Sequence, residues 1–371
     1  MSRLIECSFT AFVLAWAVGS RLLAADWPLA RGDAKATGVA AESLPETLDV
    51  LWKFQAEKGG AFEATAVIAD GIVFVGSFDG NLYAVDLQNG EKKWAHKTDL
   101  GFGAAAAIRD GRVTAGDSDG KVVCLNAADG RRVWGFETGG EINGGPNFYK
   151  QNVLIGSQDS TLYCLNAESG KKVWELKIGD QIRSLPTVVE NRAFLAGCDG
   201  KLHIVNLDDG SSLGAVEIES PTGCTPAVLG DRVYFGTEGS AFLAVDWCRE
   251  KVAWRFSSPR QQGYRSSAAA TNHAIIFGGR DKQVVALDPK SGSELWKFSA
   301  RHRVDSSPVV SGNRVFFGSA DGRLTALDVK TGERVWEYEA GGQFNASPAV
   351  SNGRLVIGNS DGTLYCFGRK P

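Results

Sequence analysis

Methionine occurs once in 371 residues and histidine four times, no two cysteines are adjacent, and CxxC is absent. Each shortage removes a class of function. His96, His203, His273 and His302 lie far apart with neither HxH nor HExxH spacing, so ordinary strand or surface positions are expected of them and no metal site is assigned. Without CxxCH there is no c-type haem attachment, and neither GxSxG nor a P-loop pattern occurs. Lysine and arginine total 40 but never form a block, and the formal net charge is −3, so nucleic acid is not expected as a partner. No apolar run reaches the ~20 residues that a membrane-spanning helix needs, and no transmembrane segment is expected.

What is abundant is glycine, at 45 residues, alongside 43% hydrophobic and 22% charged content, the balance of a globular chain rich in tight turns. The first residues read as an export signal: Arg3, the apolar stretch FTAFVLAWAVG, and small residues at Ala24 and Ala25 where a signal peptidase would cut. This divides the chain into a signal peptide (1–25), a leader (26–48) and a repeat region (49–371), and implies a periplasmic or extracellular location. Six cysteines follow the signal: Cys124, Cys164, Cys198, Cys224, Cys248 and Cys366. An oxidising compartment could pair them, but their register in the repeats favours buried free thiols.

The repeats show in the tryptophans. Trp94, Trp134 and Trp174 are 40 residues apart, Gly214 falls at the next step, and Trp254, Trp296 and Trp336 continue the series. Turn residues keep the same interval, from Asp79-Gly80 and Asp119-Gly120 to Asp321-Gly322 and Asp361-Gly362, and give eight units. These acidic turns lack the D-x-[DN]-x-[DN]-G run and distal Glu of a calcium loop, and a unique metal site would not recur eight times. Each unit reads as four short strands, in the first EATAVIA, GIVFVGS, NLYAVDL and KKWAHK, here lettered A to D. Asp-Gly between B and C predicts a two-residue hairpin turn, and Asn89-Gly90 or Thr331-Gly332 a turn between C and D. The expected fold is all-β: an eight-bladed β-propeller of four-stranded antiparallel blades. The eighth unit is one strand short, whereas DVLWKFQ near the start holds Trp52 in a strand-D setting, 42 residues before Trp94. Residues 50 to 56 are therefore expected to complete blade eight and remove a free sheet edge.

The C-to-D segment follows A-x-D-x-x-[TSN]-G-x-x-x-W, as in Ala84, Asp86, Asn89, Gly90 and Trp94, or Ala326, Asp328, Thr331, Gly332 and Trp336. This resembles the tryptophan-docking repeat of the PQQ-like (pyrroloquinoline quinone) repeat β-propellers, over nearly all of the chain from residue 50 onward; the Gly-His and Trp-Asp pairs of WD repeats are missing. Trp52, Trp94, Trp134, Trp174, Trp254, Trp296 and Trp336 are read as blade fasteners, each packing across a gap between blades with its indole N–H on a backbone carbonyl while the Gly makes room. Units four and five depart from the pattern (Ile204, Asn206, Gly210, Gly214; Ala244, Asp246, Glu250, Trp254), and lower local stability is expected there. DWPLARG, Asp26 to Gly32, is similar to a leader on exported proteins of this family.

The resemblance implies either of two functions, since the fold hosts both enzymes and scaffolds. The enzymes hold the quinone over the propeller axis with calcium and a catalytic Asp, and the alcohol-oxidising branch adds a disulfide between adjacent cysteines; no such pair, and no long insertion to roof a pocket, occurs here. The leading expectation is an exported, monomeric, non-enzymatic scaffold without cofactor that binds a protein or peptide partner in the cell envelope, similar to the scaffolds of outer-membrane barrel assembly, although their lipid-anchoring cysteine is missing. The alternative is a PQQ- and calcium-dependent oxidoreductase with Arg183 or Arg265 on the quinone carboxylates and Asp305 or Glu63 as base. A small-ligand propeller using Phe62, Phe102, Tyr264 and Phe344 as stacking surfaces is a third. The candidate site is the channel mouth. Three residues before the small or Pro position of strand A, the units diverge into Glu63, Gly103, Asn143, Arg183, Gly223, Arg265, Asp305 and Asn345, flanked by apolar residues. Glu63, Asn143, Arg183, Arg265, Asp305 and Asn345 are the candidate ligand-binding rim, set against a solvated rim with internal ion pairs such as Arg265 with Asp305.

Overall fold

The computed structural model describes residues 26–258 and 260–370; the proposed signal peptide lies outside them. Among these residues thirty-two strands form eight four-stranded antiparallel sheets, each in the order A-B-C-D. Strands A, three residues long in most blades, meet those of neighbouring blades and so line the axis. Strand A is shorter than EATAVIA because residues 63–66 run unpaired past the axis, and only Val67–Ala69 joins the sheet. Asp49–Gln55 pairs antiparallel with Thr363–Gly368, opposing Trp52 to Cys366, and this closes blade eight one residue earlier than expected.

The turns differ from expectation. In blade one Ser77 N–H donates to the Asn81 carbonyl and Gly80 N–H to the Ser77 carbonyl, so B and C are joined by a three-residue loop in which only Gly80, at φ 98°, is left-handed. Asp79 contributes its carboxylate, which accepts from Asn81 N–H at 2.9 Å. The two-residue turn with both φ angles positive lies between A and B, at Asp70-Gly71. Asp-Gly suits either geometry, and strand register decides.

Every C–D pair carries a β-bulge at the docking position: Ala84 opposes Trp94, but Val85 opposes Lys92. Lys93 is the extra residue, and its place is taken by exposed Val133, Val173, Leu213, Leu295 and Val335 in other blades. The bulge re-aims the indole toward the next blade. Trp52, Trp94, Trp134, Trp174, Trp254 and Trp296 each donate the indole N–H to a carbonyl of the neighbouring C–D turn, at 2.8 to 3.3 Å. A Cβ on the facing glycine would lie 2.8 Å from Trp52 at Gly90 and 2.7 Å from Trp134 at Gly170. Trp336 faces blade eight, where C and D come from distant parts of the chain and no turn joins them; its ring stacks on Tyr338 and meets Phe367 edge-on.

The degenerate units form one matched exchange. Gly214 occupies the tryptophan position of blade four, and the residue facing it in blade five is Glu250 in place of glycine. A Cβ on Gly214 would lie 2.7 Å from Glu250 Oε2, so the carboxylate occupies space an indole takes elsewhere. Trp247 of blade five reaches back instead, packing edge-on against Phe194 of blade four at 5.6 Å with Arg192 over its ring. The seam is filled from the opposite side rather than left open. None of the six described cysteines is paired; Cys124, Cys164 and Cys366 are buried opposite Trp134, Trp174 and Trp52.

Candidate functional site

The loops entering strand A and the B–C turns share one face because they are bonded together: Phe78 N–H donates to the Ala61 carbonyl and Phe102 N–H to the Ser77 carbonyl, with counterparts around the ring. This lattice fixes the rim. Glu63, Asn143, Arg183 and Arg265 line an axial cavity of about 220 Å³, whereas Asp305 and Asn345 lie outside its lining.

Each rim group has its own neighbours. Arg183 donates from Nε and Nη2 to Gln181 Oε1 at 2.9 and 2.6 Å. Asn143 accepts from Gln158 and donates to Glu141 Oε1 at 3.2 Å. Asn345 Nδ2 donates to Glu63 Oε1 at 3.3 Å, joining blades eight and one. The expected Arg265–Asp305 pair does not form. Asp305 receives two parallel bonds from Arg280, both at 3.0 Å, and a third contact from Arg303 at 3.2 Å, because Arg280 on the adjacent B–C turn is nearer than the axis. Arg265 is exposed and has no hydrogen bond or ion pair among the described residues.

The apolar flank is not a binding surface. Phe62, Phe102 and Phe344 are fully buried and Tyr264 is 1% exposed. Their Cβ atoms fill the space above glycines that end strand B; at Gly358 an added Cβ would sit 2.3 Å from that of Phe62. Stacking of a ligand on these rings is thereby corrected.

The leader supplies what the sequence reading missed. Trp27 is buried and bridges Ile68 of strand A in blade one. From there the leader circles the axis: carbonyls of Pro28, Ala34, Lys35, Thr37 and Gly38 accept from Ile108, Val188, Val228, Ala270 and Val310, each on a strand A or its edge. These bonds satisfy inner-edge N–H groups that would otherwise face an empty channel. They close one end and turn the tube into a cup.

Arg31, 3% exposed, belongs to the cavity lining. Its guanidinium donates to the carbonyls of Ser307, Ala268 and Pro308 at 3.2, 3.0 and 2.6 Å. Gly38 at φ 65° passes so close that any Cβ would collide with that guanidinium. Burial pulls the Arg31 pKa down to about 10, partly countered by Asp33, and the group stays charged at neutral pH.

The family model described as outer membrane protein assembly factor BamB matches residues 32–143, 118–247 and 243–370. The chain belongs to this family, and it is a PQQ-like repeat β-propeller. No curated protein matches the sequence. Among solved structures, quinohemoprotein alcohol dehydrogenase from Comamonas testosteroni is similar at 16% identity and a TM-score of 0.80, covering 94% of this chain and 81% of that one. BamB from Moraxella catarrhalis is similar at 18% identity and 0.73, covering 87% and 100%. The computationally designed Ika8 protein reaches 0.75 at 18% identity, covering 86% and 99%. At these identities the likeness shows the fold.

The calcium of the enzyme branch does not fit this cup. Calcium takes roughly six to eight oxygen ligands, carboxylates prominent among them. The cavity offers three guanidiniums against one carboxylate, Glu63, and no group of three His, Cys, Asp or Glu able to hold a metal occurs among the described residues. Asp305, the other candidate base, has both carboxylate oxygens taken by arginines.

Proposed function

We propose that the chain is an exported, non-enzymatic, monomeric propeller that binds a protein or peptide partner of the cell envelope at the open face of the cup. The observation that carries this reading is the shape and lining of that face. One end of the channel is closed by the leader, and the rim of the other varies between blades: Glu63, Asn143, Arg183 and Arg265 line the cavity, Asp305 and Asn345 stand beside it, and blades two and five carry Gly103 and Gly223. An eightfold scaffold has no structural need for such variety, whereas recognition of an asymmetric partner does. The description of the matching family as an assembly factor supports it. No helix among the described residues is long and apolar enough to cross a membrane.

The test is capture of envelope proteins, with crosslinking, on the wild-type chain and on an Arg265→Ala/Asp305→Ala variant. A partner held by the wild type and lost from the variant supports the rim. Equal capture by both overturns it. Addition of PQQ and calcium followed by dye-linked oxidation of alcohols and sugars addresses the enzyme alternative, and turnover there would displace the scaffold reading.

A further inference from the structure

We propose that the floor of the cup is a carboxylate-binding site, built from Arg31 of the leader and the hydroxyls of Thr225, Ser267, Ser307 and Ser347. It rests on the reading of the open face as a partner's site and names the chemistry that the partner brings. Arginine carries five N–H donors. Three bonds from Arg31 are satisfied, and the buried Nε–H has no partner among the described residues. The guanidinium is buried with donors to spare and no carboxylate bonded to it, Asp33 acting on it only through space, so its charge is incompletely compensated.

The hydroxyls add a second, independent observation. They form a ladder around the axis: Leu185 N–H donates to Thr225 Oγ1 at 3.2 Å, and the N–H groups of Thr225, Ser267 and Ser307 donate to the hydroxyls of Ser267, Ser307 and Ser347, each at 2.9 Å. Each oxygen thus accepts from the preceding blade. None of the four has an acceptor for its own proton among the described residues, and all four residues line the cavity. With a lone pair used on the outer side, the O–H is free to turn inward. The floor is a set of donors, and it selects an acceptor of negative charge.

Position and size narrow the ligand. The ladder hydroxyls fall on blades five to eight, as does the exposed Arg265; blades one to four line the cavity with Gly103, Ala105, Gly144, Gly145 and Leu185 together with the polar Thr65, Asn143 and Arg183 and the carboxylate of Glu63. A ligand with a small anionic head matches the donor sector. The cavity, about 220 Å³, is below the roughly 300–1,000 Å³ of pockets that enclose a drug-sized molecule. It holds a small organic acid or the carboxylate end of a polypeptide, and these two sources share the recognised group.

The experiment is calorimetric titration of residues 26–371, which contain the leader and every blade, with acetate against chloride at equal ionic strength. Trialanine and its C-terminal amide follow. Saturable acetate binding at roughly millimolar concentration is expected, weakened about tenfold in Arg265→Gln and in Ser307→Ala. Arg31→Gln is expected to abolish it, with circular dichroism checking that the leader still holds; Arg265 is exposed, so its variant folds in any case. Trialanine binding tighter than acetate, with the amide silent, identifies a chain end; equal binding identifies a free acid, and both uphold the site. Absence of saturable binding over chloride, or unchanged binding in Arg265→Gln and Ser307→Ala, overturns it. Failed partner capture with intact acetate binding would remove the scaffold reading and leave this site standing.

Discussion

Gly111 and Gly170 have the same backbone angle, φ 69°, and differ in what surrounds them. An added Cβ at Gly111 meets nothing within 4 Å, whereas at Gly170 it would lie 2.7 Å from the indole of Trp134. Alanine at Gly111 therefore costs only the left-handed strain of about 1–2 kcal/mol, partly offset by about 0.4–1 kcal/mol from a stiffer unfolded chain. At Gly170 the same strain is joined by overpacking of about 1–3 kcal/mol, and by about 1 kcal/mol more if the indole loses its 2.9 Å bond to Ala167. Gly170→Ala should be less stable than Gly111→Ala by about 2–4 kcal/mol. Urea unfolding followed by far-UV circular dichroism reads the difference in midpoint at constant slope. A cycle with Trp134→Ala sharpens the test, because removing the ring should reduce the cost of Gly170→Ala to that of Gly111→Ala. Equal midpoints for the two single variants, or strict additivity in the cycle, would refute the docking mechanism.

At the exchanged seam, Gly214→Trp alone should destabilise by about 1–3 kcal/mol, since the Glu250 carboxylate fills the space, and adding Glu250→Gly should recover most of the loss in thermal unfolding. Burial pushes the thiols of Cys164, Cys224 and Cys366 up to about 12, from an ordinary value near 9. The folded state holds these protons more tightly, so this contribution is complete below pH 9 and is lost as pH rises from 9 toward 12; the urea midpoint should fall across that window. Exposed Cys248 should react first with a thiol reagent at neutral pH, while the buried cysteines wait for unfolding, as mass spectrometry of the labelled chain would show. Asp305→Asn should cost about 1 kcal/mol by leaving Arg280 and Arg303 without their shared carboxylate, measured in the same urea assay.

The propeller was legible because its strongest constraint recurs. Each blade buries the same faces against its neighbours, so Trp94, Trp134 and Trp174 stand at a fixed interval, and Trp52 betrays the closing strand by the same count. Turn geometry was less legible, since Asp-Gly serves both a two-residue turn and the end of a three-residue loop. The rim positions could be located, but not their partners: Arg280 takes Asp305 through a fold of the adjacent turn that no spacing encodes. Phe62 looked available because the glycine that covers it, Gly358, is nearly the whole chain away. Arg31 was hidden for another reason. It sits in a segment outside the repeat, where periodicity gives no information, although the hydroxyls before the small or Pro residue at Thr65, Thr225, Ser267, Ser307 and Ser347 were a visible signal.

The leader matters more than its length suggests because a ring of blades creates a problem on its axis that the blades do not solve. Strands A present one free edge each, and unpaired N–H and carbonyl groups lining a narrow channel must find partners. The leader backbone takes N–H groups of blades one, two, four, five, six and seven. Arg31 takes carbonyls of Ala268, Ser307 and Pro308, on blades six and seven. That second choice breaks the pseudo-symmetry, because an arginine brings a charge that carbonyls solvate without cancelling. A neutral donor could have completed the same carbonyls. The charge is placed in the sector where Arg265 and the hydroxyl ladder also gather, so structural closure and anion recognition are carried by one side chain. Removal of the leader should therefore destabilise the ring and abolish acetate binding together, whereas Arg265→Gln should separate the two.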